Sequence, residues 1–300
     1  MNVTGKNELR MEDGTVKSYS VLMSVYYKEQ AEYLRLSMQS MIEQSITPEQ
    51  FVLVCDGPLS DALNAVIAEF EQKYPEFLTV VRLEENKGLG TALNRGLEHC
   101  RNELIARMDS DDIAVKDRMK IQLAAMDEYT DVSVIGGQIA EYFEDPEVIT
   151  GYRAVPITDD KLLTYIKRRN PMNHVTVVFR KSHVMELGGY PEFHGPGFED
   201  YYLWVNMLAH GFKLKNLNEV CCKVRVNYGQ YSRRGGHRYF RNAMCVERLM
   251  LEQNMISRLE FIQNAIMWYA GAVIIPTKVR KVLFSKILRK QKLDSAVKEQ

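Results

Sequence analysis

The stretch ELIARMDSDDIAV, residues 103–115, decides how this chain is read: an apolar run leads directly into three carboxylates, Asp109, Asp111 and Asp112. Asp and Ser are common where a strand turns into a helix, so a solvated turn accounts for the pattern by itself. The competing reading is that the carboxylates point at a cation, and the rest of the chain has to decide between the two.

Upstream of this stretch, short β-branched runs alternate with amphipathic segments. SVLMSVYY reads as a strand, EQAEYLRLSMQSMIEQS as a helix, FVLVCD as a strand and 60–74 as a helix. LTVVRL reads as a third strand, 90–101 as a helix, and ELIARMD as a fourth strand. Strands that read as near-continuous apolar runs and are joined by helices imply a parallel sheet covered on both faces. In such sheets ligands bind beyond the carboxyl ends of the strands, which is where Asp56 and the Asp109 cluster fall. A helix over about 115–129 and a strand VSVIGGQIAEYF follow, after which the alternation weakens and the second half reads as α+β. The division expected is a polar tail over 1–18, an α/β domain over 19–235 and a helical region over 236–300.

The composition excludes several classes. With 300 residues, 46% of them hydrophobic, the chain buries a substantial core. Lys plus Arg equals Asp plus Glu at 39 each, so no basic field points to nucleic acid as a partner. The five cysteines show neither CxxC spacing nor His neighbours, which argues against a disulfide framework or a zinc site and fits a reducing, cytoplasmic compartment. The N-terminal stretch has no apolar core of the signal-peptide kind.

The segment between Glu260 and Lys278 carries no charge but falls a little short of a membrane span and holds Gln263, Asn264 and Pro276. Lys278, Arg280, Lys281, Lys286, Arg289, Lys290 and Lys292 follow with no acid among them, and Val279, Val282, Leu283, Ile287 and Leu288 recur at helical spacing. That combination suits a helix lying on an anionic membrane surface; a core helix followed by a solvated basic tail is the alternative.

Other acid and glycine motifs fit poorly. A calcium loop starting at Asp109 would need a ligand at Ile113 and a glycine at Ala114. A haloacid-dehalogenase type phosphatase would need a DxDx(T/V) run, where Ile113 stands here, and a following phosphate loop, of which the sequence shows none. NKGLGTALNRG has Gly88 and Gly90 before a helix, but Leu93 stands at the third glycine of a dinucleotide fingerprint and the segment follows the third strand.

Taken together, SVLMSVYYKE, VLVCDGP, ENKGLGTALNRGLEHCRNELIARMDSDDI, NPMNHVTVVFRKS, LGGY and GFEDYYLWVNMLAHG resemble, in order and spacing, the glycosyltransferase family 2 enzymes with the GT-A fold, over roughly residues 20–240. RRGGHRYF resembles a subset that builds bacterial surface polysaccharides such as capsule, exopolysaccharide or O-antigen. The resemblance implies a Rossmann-like, mostly parallel α/β sheet flanked by helices, to which the charge pattern adds the basic helical extension at the C-terminus. It implies inverting transfer of a hexosyl or N-acetylhexosaminyl unit from a nucleotide-diphosphate sugar, a UDP-sugar, to a glycan acceptor. The DxD motif reads here as Asp109, Ser110, Asp111, with Asp109 and Asp111 holding Mn²⁺ or Mg²⁺; Asp112 holds a metal-bound water or caps the next helix. A divalent cation there would balance the charge of the leaving diphosphate.

By the same resemblance Asp56 hydrogen-bonds the uracil ring, although the acidic pair usual at this point is reduced to one Asp before Gly57 and Pro58. Lys87 and Gly88 line the nucleotide pocket, with an exposed loop lysine as the plain alternative for Lys87. Asp200 matches the catalytic base, and Glu199 is an orienting neighbour or the alternative base; acids at a helix start are also favoured by its dipole alone. His174 and the cluster Gln230, Arg233, Arg234 and His237 are further candidates: the arginines and the histidine of this Gly-containing loop would close over the departing diphosphate, or face anionic lipid or solvent. QYSRR matches only part of the QxxRW element of processive members, so non-processive transfer is expected. Trp204 reads as core. The acceptor expected is a polyprenyl-diphosphate-linked glycan, with the enzyme peripheral on the inner face of the cell membrane. Two rivals are a nucleotidyltransferase, which should show a glycine-rich loop where VYYKEQAEY has none, and a non-catalytic nucleotide- or glycan-binding module.

Overall fold

The computed structural model describes residues 18–193, 197–226 and 235–276. Its first half is the expected alternation. Strands β1 (Tyr19–Val25), β2 (Gln50–Cys55), β3 (Leu78–Arg82) and β4 (Leu104–Asp109) are parallel in the order β3-β2-β1-β4, and helices α1 (Ala31–Ile42), α2 (Asp61–Lys73) and α3 (Leu89–His99) connect them. Along β1, Val21 and Met23 face a core built with α1 and α2, while Leu22 faces a second core built with α3. Both faces are covered, and the strand is accordingly apolar at successive positions, not at alternate ones.

Beyond β4 the sheet becomes mixed. β8 (Val178–Arg180) lies antiparallel to β4, and β6 (Val132–Tyr142) is antiparallel to β8. β9 (Lys213–Arg225) is parallel to β6, and β7 (Gly151–Arg153) pairs with β6 off the main path. The two-residue β5 (Ile113–Ala114) closes the far edge against β9. The DSDD turn therefore carries the chain from the middle of the sheet to its edge. Helix α4 (Arg118–Glu128) joins the α1–α2 layer, and the short α5 (Asp159–Tyr165) and α6 (Lys181–Glu186) flank the mixed half.

The second layer is completed by α7 (Glu199–Ala209), α8 (His237–Glu252) and α9 (Arg258–Tyr269), which runs into a π turn over Ala270–Ile274. Ala243, Val246, Leu249 and Met250 of α8 share a core with Trp204 of α7 and Leu93 of α3. The contact is tied by a polar knot. Glu247 of α8, fully buried, accepts hydrogen bonds from Asn264 Nδ2 (2.9 Å) and Trp268 Nε1 (2.8 Å) of α9. Among the described residues no helix is long and apolar enough to cross a membrane.

Helix α3 approaches its neighbours closely because it carries glycine where they touch. A Cβ on Gly96 would sit 2.3 Å from Leu22 Cδ1, and one on Gly90 would sit 2.5 Å from the carbonyl oxygen of Pro191. Since the latter is backbone, it yields only if the 188–191 turn moves. Gly90→Ala is expected to destabilise the protein by about 1–3 kcal/mol through this overlap, outweighing the roughly 1 kcal/mol of helix propensity alanine adds. A thermal unfolding curve that falls by several degrees would agree; an unchanged midpoint would show that the turn is free to shift.

Candidate active site

The site lies where the strands of the parallel half end. At the end of β2, Asp56 is buried and its carboxylate gathers the 86–88 loop: it accepts from the Lys87 N–H (2.7 Å), the Gly88 N–H (3.0 Å) and Asn86 Nδ2 (2.9 Å). The three residues Asp56, Lys87 and Gly88, picked out separately from sequence, thus form one unit. Burial raises the Asp56 carboxyl, while the two backbone N–H groups favour its charged form. Gly88, at φ +89°, takes the left-handed backbone that lets this loop turn into α3. The Lys87 side chain is half exposed and lies 3.5 Å from Glu85.

At the end of β4, Asp109 is paired with Arg107, whose Nη2 donates to Asp109 Oδ1. The two differ sharply in environment, the Arg107 side chain being 2% exposed and that of Asp109 36%. Burial opposes the guanidinium charge, but Asp109, with Tyr190 and Asp200, holds the Arg107 pKa above its ordinary value. Its Nε and Nη1 meet no hydrogen-bond partner among the described residues. Below it a second buried arginine, Arg118, donates from Nη2 to the Arg107 carbonyl (2.8 Å) and from Nε to Gln122 (2.9 Å).

The remaining acids of the turn have separate duties. Ser110 donates to Glu29 (3.0 Å), which ties the turn to the β1–α1 loop. Asp111 is half-buried. Asp112 is 3% exposed and accepts the Arg225 N–H (2.8 Å), so it stitches the turn to β9. Burial, then the charges of Asp111 and Asp109, push the Asp112 carboxyl well up. It caps no helix, because α4 begins only at Arg118.

The acid pair Glu199–Asp200 opens α7. The residue before it, Phe198, takes a left-handed backbone at φ +81°, strained for a side chain of this size and held by ring contacts to Tyr239 (4.7 Å) and Trp268 (5.3 Å). Asp200 accepts from Asn170 Nδ2 (2.6 Å) and from the Tyr201 N–H (2.8 Å). Burial raises its carboxyl; these two donors and Arg107 favour the charged form. Glu199 is buried, and burial followed by the charge of Asp200 raises it to about 7. Arg107 and Asp109 also act on Glu199, so the acids ending β4 and opening α7 share one electrostatic neighbourhood.

His174 belongs to this group: its Nε2 meets the Tyr190 hydroxyl at 2.9 Å, and burial and Arg107 keep it neutral. Trp204 is fully buried in the core. His237 is exposed in the first turn of α8, its ring 6.4 Å from that of Tyr269. Gln230, Arg233 and Arg234 lie outside the described residues. Sequence reading passed over Arg107, Asn170 and Tyr190, although a lone arginine inside an apolar strand is itself a signal of buried charge.

Among the described residues no three His, Cys, Asp or Glu side chains gather as a metal cage. The donor set suits a cation that takes one or two carboxylates and completes its shell from substrate phosphates and water, as Mg²⁺ does. Asp109, opening toward solvent from a β4 end, and Asp111 fit that role; the inward-turned Asp112 does not.

The acid pair predicts a pH signature. The folded Glu199 value lies above the unfolded one, so stability is greatest with the proton bound and declines as pH rises from the ordinary glutamate range to about 7. Glu199→Gln removes that penalty. It is expected to melt close to the wild type near pH 5 and higher than it near pH 8, by about 1–3 kcal/mol; equal midpoints at both pH values would refute the shift.

The profile of glycosyl transferase family 2 matches residues 20–186. A Haemophilus influenzae glycosyltransferase of uncharacterised activity is 36% identical over 91% of this chain and 99% of its own length. An Escherichia coli relative named UDP-Gal:alpha-D-GlcNAc-diphosphoundecaprenol beta-1,3-galactosyltransferase is 32% identical over 93% of this chain and 99% of its own length. Among solved structures, S. aureus TarS (residues 1–349) in complex with UDP-GlcNAc superposes with a TM-score of 0.62 at 18% identity, covering 93% of this chain and 78% of that one, and shares the GT-A fold. With the acids at the ends of the parallel strands and at the start of α7 in the expected order, the chain belongs to glycosyl transferase family 2.

Proposed function

We propose that this chain catalyses inverting, metal-dependent transfer of a sugar from a UDP-sugar to a polyprenyl-diphosphate-linked glycan in bacterial surface polysaccharide synthesis, working at the inner face of the cell membrane. The observation that carries the reading is the charge neighbourhood around Arg107, which ties Asp109 at the end of β4 to the Glu199–Asp200 pair opening α7. One side of that neighbourhood suits a diphosphate and the other an acceptor hydroxyl. The names of the E. coli relative and the S. aureus complex support the uridine donor, and the former supports the lipid-linked acceptor.

In this reading the loop gathered by Asp56, with Lys87 and Gly88, forms the wall for the nucleotide. Asp109 and Asp111 hold Mn²⁺ or Mg²⁺, which when bound supplies positive charge against the diphosphate oxygens. Asp200 removes the proton from the acceptor hydroxyl as that oxygen attacks the anomeric carbon from the face opposite the leaving diphosphate. Asn170 fixes the Asp200 carboxylate, and Arg107 favours its charged form. Glu199, buried and raised to about 7, orients its neighbour instead of competing for the proton. Arg233, Arg234 and His237 are assigned to the departing diphosphate.

Two variants separate the binding half from the chemical half. Asp111→Asn is expected to weaken UDP binding in Mn²⁺ by at least about tenfold in calorimetry, with GDP bound more weakly than UDP by the wild type. A chelator should abolish the difference between the mutant and the wild type. Asp200→Asn is expected to keep UDP affinity while kcat falls roughly 10²–10⁴-fold. Transfer at wild-type rates by Asp200→Asn would remove it as the base.

A further inference from the structure

Helix α9 is tied down on its inner side. There Asn264, buried, donates to the Lys167 carbonyl (2.8 Å) and to Glu247, the Trp268 indole N–H donates to Glu247 as well, and Phe261 and Trp268 pack on the core. Its outward side carries a second apolar set. Leu259, Ile262, Ile266 and Tyr269 follow at intervals of three and four, so they lie on one stripe, and they are 65%, 54%, 66% and 42% exposed. Ile274, 65% exposed, follows in the π turn.

The stripe is held in place. A capping box, in which Ser257 and Glu260 exchange hydrogen bonds, starts the helix, and the Glu247 knot prevents it from rolling its apolar side inward. In a monomer in water this arrangement exposes a contiguous apolar ridge with nothing gained. Immediately past it the sequence supplies seven cations between Lys278 and Lys292 and no acid.

We propose that the outward stripe of α9 is a membrane-docking surface, whose partner is a bilayer containing anionic phospholipid. An apolar ridge followed by a run of positive charge matches an interface in which acyl chains lie beneath anionic headgroups. A second copy of this chain fits less well, since it would cover the ridge but offer no anionic partner to the run of positive charge that follows it in sequence. The docked helix also touches the site, because Trp268 on its inner side packs on Phe198, the residue before the acid pair. Docking therefore fixes the start of α7 relative to the bilayer. This rests on the proposed membrane-borne acceptor only for its purpose; the docking itself is independent of catalysis.

The test is flotation of the full chain with vesicles of phosphatidylcholine alone or mixed with phosphatidylglycerol, comparing wild type with Leu259→Ser/Ile262→Ser/Ile266→Ser. The wild type is expected to float with the anionic vesicles, and the triple variant to bind at least about tenfold more weakly. Replacing Lys278, Arg280 and Lys281 by Glu should also weaken binding and remove its salt dependence. Unchanged melting and UDP binding in the triple variant show that its fold is kept; if it fails to fold, Ile262→Ser and Ile266→Ser are measured singly. Wild type that floats with neither vesicle, a triple variant that floats as well as wild type, or a wild-type dimer dissolved by the triple substitution overturns the proposal. Vesicle binding without sugar transfer would overturn the function proposed above and leave the docking surface standing.

Discussion

The pairing of a buried guanidinium with a half-open carboxylate, Arg107 with Asp109, is the constraint around which the site is arranged. Taking a guanidinium out of water costs several kcal/mol, and one carboxylate, with Nε and Nη1 left without a partner among the described residues, does not make the pair a net stabiliser. An apolar residue would fill this strand position at lower cost. What the arginine supplies is a fixed positive charge beneath three acids that would otherwise repel one another. Its backbone is in turn pinned, by the Val177 carbonyl above its N–H and by Arg118 on its own carbonyl. Two buried arginines linked in this way tie the position of the sheet to the acid at the end of β4.

The surroundings show how the fold serves that charge. The parallel half brings the ends of β2 and β4 together by register alone, since β1 pairs with both. The mixed half brings the other acids from far along the chain: α7 is set by its core face, with Trp204 and Leu203 buried, and its first turn by the strained Phe198. A left-handed phenylalanine costs on the order of 1–2 kcal/mol. The aromatic contacts from α8 and α9 hold it there, so helices distant from the reaction fix the direction in which the acid pair leaves the backbone.

Much of this was legible beforehand, and the reason is local. The strands and helices of the parallel half each carry their own period and are bounded by their own turn residues, so 60–74 was read as a helix and Asp61–Lys73 is one. Asp56, Lys87 and Gly88 were picked out, but not the bond between them, because a carboxylate reaching three donors across a loop leaves no spacing to read. β9, with the polar mixture KLKNLNEVCCKVR, and the two-residue β5 were missed for a related reason. Their strand character comes from the partner each finds in the sheet. Helix α9 leaves a different gap: its uncharged sequence fits either a surface helix or a core helix, and it does not show that Asn264 is turned inward while Gln263 is exposed.

The pairing of β6 with β9 also governs when the acid pair comes into place. Val132 lies beside Lys213 in that ladder, and the whole of α7, with Glu199 and Asp200, belongs to the loop the pairing closes. Loop closure of this length is entropically costly and comes late relative to the local contacts of the β1–α3 half. The nucleotide side of the site is therefore expected to take shape first during folding. If the proposed function holds, the donor side would then form before the acid pair of α7 is in place, and a donor bound at that stage would favour completion of the fold.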